Sequence, residues 1–536
     1  MTSIKDFVGQ IIHVFSPQKL IDYISGILDE NNKLKVHVQD LEDKVSKYKK
    51  EINELIGEQG KPEFKKKEPA GNKRLPSIDK DENSKGRENN KKTSKLDRLI
   101  IDDKKIINSP KIKKKKGFKT VIIQDIIFTK NVTQYQLECG YDENGDFLTS
   151  PLPITTFGEY GTGLTSFVKT LYYQGRVPMN KIQSILKSIG FIIGKSVVVK
   201  MCHFSDYSLK KELDAARIES VLKNKIVQMD DTEALVGNKN HHTFAISTDH
   251  VTILTTMESK SMMSAIYAYS GGNQVYYLFN DDFFNFLEKK LKFQNYKNYF
   301  KKYERQKPYD EIEFRNLMKK FSGEKFFNRA YFIRICALKS WIKNTPLLNP
   351  NSKLVSDTAG NYKFKGRTHQ YCWIHEIRHY RRIEAFTQIH KDIKLHFLTI
   401  LYDFYNKLKK FKIGLVSSYE VETDFDHIMN IKTNFSALDN LLENTKKRKE
   451  GLLTVLKYPF VPLHNNTCEQ DLRENVIKIR VSGGTKTRRG TYSWDVGLSL
   501  VHTLRKLKIS YYKFLMDRYS QTNKILPLGQ IIQGRA

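Results

Sequence analysis

The sequence predicts a multidomain α+β protein, and three observations carry that prediction. Its 536 residues exceed what one hydrophobic core serves. Short β-type runs end in aspartate, as in Ile226-Val227-Gln228-Met229 before Asp230-Asp231 and the apolar run before Asp357. Long stretches between and after these runs carry apolar residues at helical spacing.

Taken in order, residues 4–24 read as one or two short helices. Residues 27–55 carry a heptad, with Ile27, Leu34, Leu41, Tyr48 and Leu55 at d and Asn31, Val38, Val45 and Ile52 at a. β-branched residues at a with Leu at d favour a parallel two-stranded coil, and one Asn at a fixes register. Residues 1–57 are therefore expected to form a homodimerising coiled coil. From 58 to 117 the composition shifts to Lys, Asn, Asp, Ser and Pro, a basic linker too polar to fold alone. Residues 118–153 alternate in strand fashion (Val121, Ile123, Ile127, Tyr135, Leu137) around the turn Asp142-Glu143-Asn144-Gly145-Asp146. Residues 154–222 read as helical. Within them, 161–187 break at Gly175 and Pro178 into a helix-turn-helix-like pair, with Lys169, Arg176, Lys181 and Lys187 placed for DNA.

The region 223–500 opens with a strand ending at Asp230. Two further strands follow, His242–Thr248 and His250–Glu258, with Asp249-His250 in the turn. A fourth precedes Asp357, and helical insertions are expected at about 265–350 and 383–458. Residues 501–536 close the chain as a helical tail, with Leu498, Leu500, Leu504, Leu507 and Tyr511 as core candidates of the closing helical stretch.

Lys and Arg number 91 against 59 Asp and Glu, a formal charge of +32. That balance points to a polyanionic partner, most simply nucleic acid. The five cysteines, at 139, 202, 336, 372 and 468, form no C-x-x-C pair, which argues against a disulfide framework or a cysteine-rich zinc site. Cys372 and His375 stand at C-x-x-H spacing with no second pair. No apolar run of about 18 residues occurs, so no membrane span is expected. The opening Met1–Phe7 is not secretory in pattern, and a cytoplasmic protein is expected.

The chemistry concentrates in three stretches. Pro462–Arg473 reads P-L-H-N-N-T-C-E-Q-D-L-R and puts Glu469 at a helix start, after an Asn465-Asn466 pair suited to a turn or N-cap. Arg473 follows on the same helix face. Two strand-end aspartates and a later helical glutamate are what a two-metal phosphoryl-transfer site requires, since hard cations take shared oxygen ligands. On sequence order alone, Asp231 competes with Asp230 for that role. Along Cys372–Arg382, His375, Arg378, Arg381 and Arg382 are expected to line a helix facing phosphates. Trp373 is read as core or as a stacking platform for an unpaired base. Lys478, Arg480, Lys486, Arg488 and Arg489 surround Gly483-Gly484, where glycines let backbone approach a strand closely and cations meet phosphate.

In this order, the motifs resemble DDE transposases of the insertion sequence 66 family over roughly residues 120–520. The matching residues are the D-D-T at Asp230, the V-S-D at Asp357, the C-W-I-H-x-x-R-x-x-R-R block, and N-N-x-x-E-Q-x-L-R with its trailing S-G-G. The segment 158–182 also resembles the family's region upstream of the core. The resemblance implies an RNase H-like catalytic core that cleaves DNA at transposon ends and transfers the strand into target DNA. It implies Asp230, Asp357 and Glu469 as catalytic residues and ligands of two Mg²⁺ ions, for which Mn²⁺ can substitute, with Asp357 bridging. It implies Trp373, His375, Arg378, Arg381, Arg382, Arg473, Lys478, Arg480, Lys486, Arg488 and Arg489 at the double-stranded DNA. It further implies a nucleoid-associated protein of a prokaryotic mobile element, with accessory proteins of the same element as possible partners. The chain departs from the family at Gln470, where Arg is usual, at His464-Asn465, and in keeping only Cys139 of the upstream cysteines. The rival reading is a transposase-derived protein that binds DNA without cutting it.

Overall fold

The computed structural model describes residues 130–535, except 205, 271–274, 289–293, 306, 322–326, 346–348, 350 and 364–367, together with scattered positions between 22 and 125. The chain divides into two compact units, Met1–Asn131 and Val132–Ala536. In the first unit the described positions from Asp22 to Lys44 are helical. An i, i+4 ion pair joins Lys44 to Asp40 at 2.6 Å. Most heptad positions, the helices expected at 4–24 and nearly all of the basic linker lie outside the described residues.

The second unit is mixed α+β. It begins with a hairpin, β1 (Cys139–Tyr141) and β2 (Phe147–Thr149), folded around Asp142–Asp146. Asp142 Oδ1 accepts from the backbone N–H groups of Asn144 and Asp146, each at 2.9 Å. The strand-like alternation upstream is not realised: residues 121–125 and 130–138 pair with nothing in the sheets. Val121, Ile123, Tyr135 and Leu137 are exposed there. A second short pair, β3 (Thr156–Phe157) and β4 (Tyr160–Gly161), leads into the helix Thr162–Lys169.

That helix runs on as one π-turn, Thr170–Gln174, and stops at Gly175, where a Cβ would lie 2.8 Å from the Leu171 carbonyl oxygen. The next helix, Met179–Ser188, starts after Pro178. Lys169 departs from its expected place at DNA. It is buried, its Nζ 2.9 Å from Asp206 and 2.6 Å from the Phe204 carbonyl. The helices are not an independent module either. Val168, Ile182, Leu186 and Leu213 share one core with Leu500, Leu504, Phe514 and Leu528. One hydrophobic cluster therefore crosses the boundaries read at 222 and 500.

The central sheet has five strands: β5 (Ile226–Val236), β6 (Lys239–Ser247), β7 (Thr252–Met257), β8 (Lys353–Ser356) and β9 (His369–Tyr371). Their spatial order is β7-β6-β5-β8-β9. The first three are antiparallel neighbours, and β8 and β9 add in parallel. β5 does not end at Asp230. Its pairing with β6 continues to Val236 opposite Lys239, while its pairing with β8 covers only Ile226–Gln228. Among the described residues, five helices between Met262 and Asn344 separate β7 from β8 and pack on Phe279, Phe283, Phe300 and Phe314. A second helical block, from Gln388 to Lys457, separates the helix Trp373–Arg382 from the helix Asn466–Ser482.

β7 is an edge strand, and its outward N–H groups do not face water. The helix Arg488–Lys506 lies along it and supplies acceptors four residues apart. The Thr256 N–H donates to Asp495 at 2.7 Å, Leu254 to Ser499 Oγ at 2.8 Å and Thr252 to Thr503 Oγ1 at 3.2 Å. Four helical residues advance about 6 Å. Two strand residues advance about 6.7 Å, so the two repeats stay in step over this length. A covered edge cannot recruit another strand. Ser499→Ala is expected to leave the buried Leu254 N–H unpaired and to cost about 1–3 kcal/mol. Urea unfolding of the variant checks this, and an unchanged midpoint would mean that the edge bond contributes nothing.

Candidate active site

The site lies where β8 leaves β5. Beyond Gln228, β5 has no neighbour on that side, and the start of the helix Asn466–Ser482 docks there. The Cys468 N–H donates to Gln228 Oε1 at 3.4 Å, and Asn465 Nδ2 to the Met229 carbonyl at 3.4 Å. Cys468 Sγ donates to the Ala245 carbonyl at 3.3 Å. Asn465 is thus the N-cap residue, but its side chain reaches the sheet instead of capping its own helix. This docking carries Glu469, the next residue after Cys468, to Asp230. Asp357 follows the last residue of β8 and accepts the Ala359 N–H at 2.9 Å in a tight turn.

Asp230 is buried, 8% exposed. Burial pushes its carboxyl up to about 8, and the charges of Asp357, Glu469 and Asp231 add to that rise. The Asp231 backbone N–H donates to it at 2.9 Å, and among the described residues no cationic side chain pairs with it. Asp231 projects from the opposite face of β5. Lys260 lies 2.9 Å from it and His242 Nδ1 3.4 Å, and the Tyr362 hydroxyl donates to it. The two neighbouring aspartates therefore differ in kind. Asp231 has its own cation, whereas Asp230 has two further carboxylates.

Glu469 is gripped by Arg378, whose Nη2 lies 3.0 Å from Oε2 and whose Nη1 lies 3.5 Å from Oε1. Arg378 Nη1 also stands 3.2 Å from His375 Nε2, and His375 Nδ1 lies 3.6 Å from Glu469 Oε1. Burial pushes the His375 ring below its ordinary value, with Glu469 pulling the other way. Their helix is fixed at its start by the Cys372 N–H on the Ser356 carbonyl and the Trp373 N–H on the Leu463 carbonyl, both at 2.8 Å.

Two residues expected at DNA are core instead. Trp373 is fully buried, donating from Nε1 to the Leu452 carbonyl at 2.9 Å and packing on Phe404 and Phe425. No face is left to stack a base. Lys478 is also fully buried. Its Nζ donates to the Tyr172 carbonyl at 2.6 Å and sits 3.6 Å over the Tyr172 ring and 4.7 Å over Trp494. The helix explains this: Cys468, Asp471, Leu472, Asn475 and Lys478 form its buried stripe. Arg381, Arg382, Arg473, Arg480, Lys486, Arg488 and Arg489 are exposed. Arg488 pairs with Glu258 at 3.0 Å, and Arg489 Nη2 donates to the His203 carbonyl at 3.3 Å.

The strand that the two glycines approach is β5 itself. Gly483 ends the helix at φ +71°. Gly484 follows at φ +78°, where a Cβ would lie 2.3 Å from the Leu235 carbonyl oxygen. Thr485 then pairs with β5 through N–H donation to Leu235 at 3.0 Å and acceptance from Gly237 at 2.8 Å. Sequence reasoning missed one constellation. Single ligating atoms of Cys372, His375 and Glu469 all lie within 4.8 Å of one another. The C-x-x-H spacing was its visible half; the third group comes from another helix.

Residues 344–492 match the sequence model of the transposase IS66 family. That segment holds Asp357, the Cys372–Arg382 block and Glu469, and begins after Asp230. The resemblance read from the motifs is borne out there. The chain is also similar to the uncharacterized protein y4jO of Sinorhizobium fredii (strain NBRC 101917 / NGR234), 29% identical over 317 residues. That alignment covers 58% of this chain and 97% of the relative.

Lys478 separates a buried cation from a DNA-binding one. Burial pulls its ammonium down to about 7 from an ordinary 10.5. Between those values the unfolded chain binds a proton that the folded one does not, so stability rises with pH across that window. Lys478→Met is expected to lose this rise and to keep the salt dependence of DNA affinity. Melting curves between about pH 7 and 10 and a salt titration check both. A flattened salt dependence would return Lys478 to the DNA surface.

Proposed function

We propose that this chain, which matches the transposase IS66 family model over residues 344–492, is a DDE transposase. It would cleave DNA at transposon ends and transfer the freed strand into target DNA. The observation that carries the reading is the cluster of Asp230, Asp357 and Glu469 around a buried carboxylate without its own cation. The strand order β7-β6-β5-β8-β9, with three antiparallel strands and two added in parallel, supports an RNase H-like core.

The three carboxylates fit Mg²⁺, a hard cation that takes oxygen ligands, and Mn²⁺ can substitute. Asp230, Asp357 and Glu469 would hold the ions, which polarise the scissile phosphate and make water or a 3′-hydroxyl nucleophilic at neutral pH. The rest falls to the chain. The sheet edge and the docked helix hold the three acids in fixed positions. Arg378 orients Glu469 through its two-nitrogen fork. Arg381, Arg382, Arg473, Arg480 and Lys486 present positive charge on the surface for phosphates. Hydrolysis of one phosphodiester would free a 3′-OH, and in-line attack by that hydroxyl on target DNA would join the strands. Homodimerisation through residues 27–55 belongs to the same proposal, because two transposon ends call for two active sites.

Asp357→Asn and Glu469→Gln are each expected to abolish Mg²⁺-dependent nicking of the element's own ends, with DNA affinity changed less than about threefold. Gel assays of cleavage and binding measure the two separately. Nicking that survives either substitution would end the reading, and absent nicking in the wild-type chain with intact DNA binding would favour the silent DNA-binding protein. Deleting residues 1–57 is expected to halve the mass found by light scattering. An unchanged mass would place the dimer contact elsewhere.

A further inference from the structure

Cys372 Sγ, one ring nitrogen of His375 and a Glu469 carboxylate oxygen converge within 4.8 Å. Cys372 is fully buried at the start of the helix Trp373–Arg382, so its sulfur cannot turn to solvent. His375 follows one helical turn later and stands on the same side. Its Nδ1 is buried with no hydrogen-bond partner, and the nearest charged oxygen, Glu469 Oε1, is 3.6 Å away. Glu469 comes from the facing helix Asn466–Ser482, which the sheet holds in place through Cys468 and Asn465. The ligand atoms thus come from two anchored helix starts. An unpaired buried imidazole nitrogen points into the group.

A sulfur, an imidazole nitrogen and a carboxylate oxygen are a poor set for Mg²⁺, which takes oxygen alone. They are a good set for zinc, which is bound at about 2.3 Å by sulfur and about 2.0 Å by nitrogen. Three protein ligands leave a fourth, open position. Glu469 is also one of the three acids around Asp230, and His375 feels the Asp357 charge as well.

We propose that Cys372, His375 and Glu469 form a second metal site, selective for Zn²⁺ or a similarly soft divalent ion, whose occupation withdraws Glu469 from the carboxylate cluster and silences cleavage. On binding, the Cys372 thiol gives its proton to solvent, the imidazole proton passes from Nδ1 to Nε2, and sulfur, Nδ1 and the carboxylate oxygen each donate a lone pair. Nothing is oxidised or reduced. Arg378 must release His375 Nε2 and part of its hold on Glu469, so the guanidinium and the soft ion compete for one place. The inhibitory half of the proposal rests on the reading of Glu469 as a Mg²⁺ ligand; the binding half does not.

Cobalt(II), a spectroscopic stand-in for zinc, tests the binding half on the full chain without Mg²⁺. A thiolate-to-cobalt charge-transfer band in the near ultraviolet is expected, abolished by added Zn²⁺ and absent in Cys372→Ser. The other four cysteines remain in that variant and serve as internal controls. A band that persists in Cys372→Ser, or no band in the wild type, overturns the site. Should Cys372→Ser fail to fold, His375→Gln carries the same spectral test through weakened cobalt affinity. For the inhibitory half, Zn²⁺ is titrated into the Mg²⁺-dependent nicking assay. Loss of one ligand of three should raise the zinc concentration for half-inhibition by at least about tenfold in Cys372→Ser. Equal inhibition of both proteins overturns it. If the wild-type chain does not nick at all, the transposase reading fails, and the cobalt spectrum still decides the metal site.

Discussion

Burial of Asp230 without a cation of its own is the constraint around which the site is arranged. A carboxylate withdrawn from water needs compensation, and here it receives two more carboxylates instead. In the protein alone, that arrangement is relieved by keeping the Asp230 proton. It becomes favourable with all three acids ionised only when external positive charge arrives. The neighbouring Asp231, in the same strand and with its side chain also out of water, shows the opposite solution, with Lys260 and His242 beside it. One residue of register separates an ion-paired aspartate from one set among acids. A one-residue slip of β5 would exchange the two faces.

What holds Asp230 in place is less a motif than a mismatch in strand length. β5 continues along β6 for eight residues after β8 has ceased to accompany it. The gap is filled by a helix start, sewn on through Gln228, Met229 and Ala245. At the far tip of β5, Thr485 pairs with the strand again, so one helix and its following loop span the open edge. On the opposite edge, helix Arg488–Lys506 satisfies the N–H groups of β7. The β7 edge and the open stretch of β5 are thus both closed by consecutive segments of one chain region.

This explains which features could be read from sequence. Local chemistry was legible: acids at the ends of apolar runs, Glu469 at a helix start, and the turn at Asp142–Asp146. Strand length was not, because Asp231, Glu233 and Ala234 in β5 are of types depleted in strands; pairing with β6 keeps them extended. Lys478 was misplaced because a basic neighbourhood outweighed its register in the buried stripe, and Tyr172, whose carbonyl and ring both meet its ammonium, lies 306 residues away in sequence. Trp373 was left open between two roles, and its indole partner, Leu452, belongs to the inserted helices. Long-range partners cannot be inferred from spacing within one helix.

Arg378 draws these threads together. Its guanidinium lies against Glu469 and His375, where it supplies positive charge to the acid cluster. It is a tethered cation, held at a fixed effective concentration by a helix whose first N–H groups are bonded to the Ser356 and Leu463 carbonyls. On the proposed reading, divalent ions would add two charges where Arg378 offers one, beside an Asp230 that no cationic side chain pairs with among the described residues. Were Glu469 to turn to such an ion, the guanidinium would lose its partner while remaining on the helix that presents Arg381 and Arg382 to solvent. A phosphate is then its natural acceptor. In this reading, metal loading and phosphate binding are coupled through a single side chain, with no need for backbone motion. That coupling follows from placing the arginine one helical turn beyond His375.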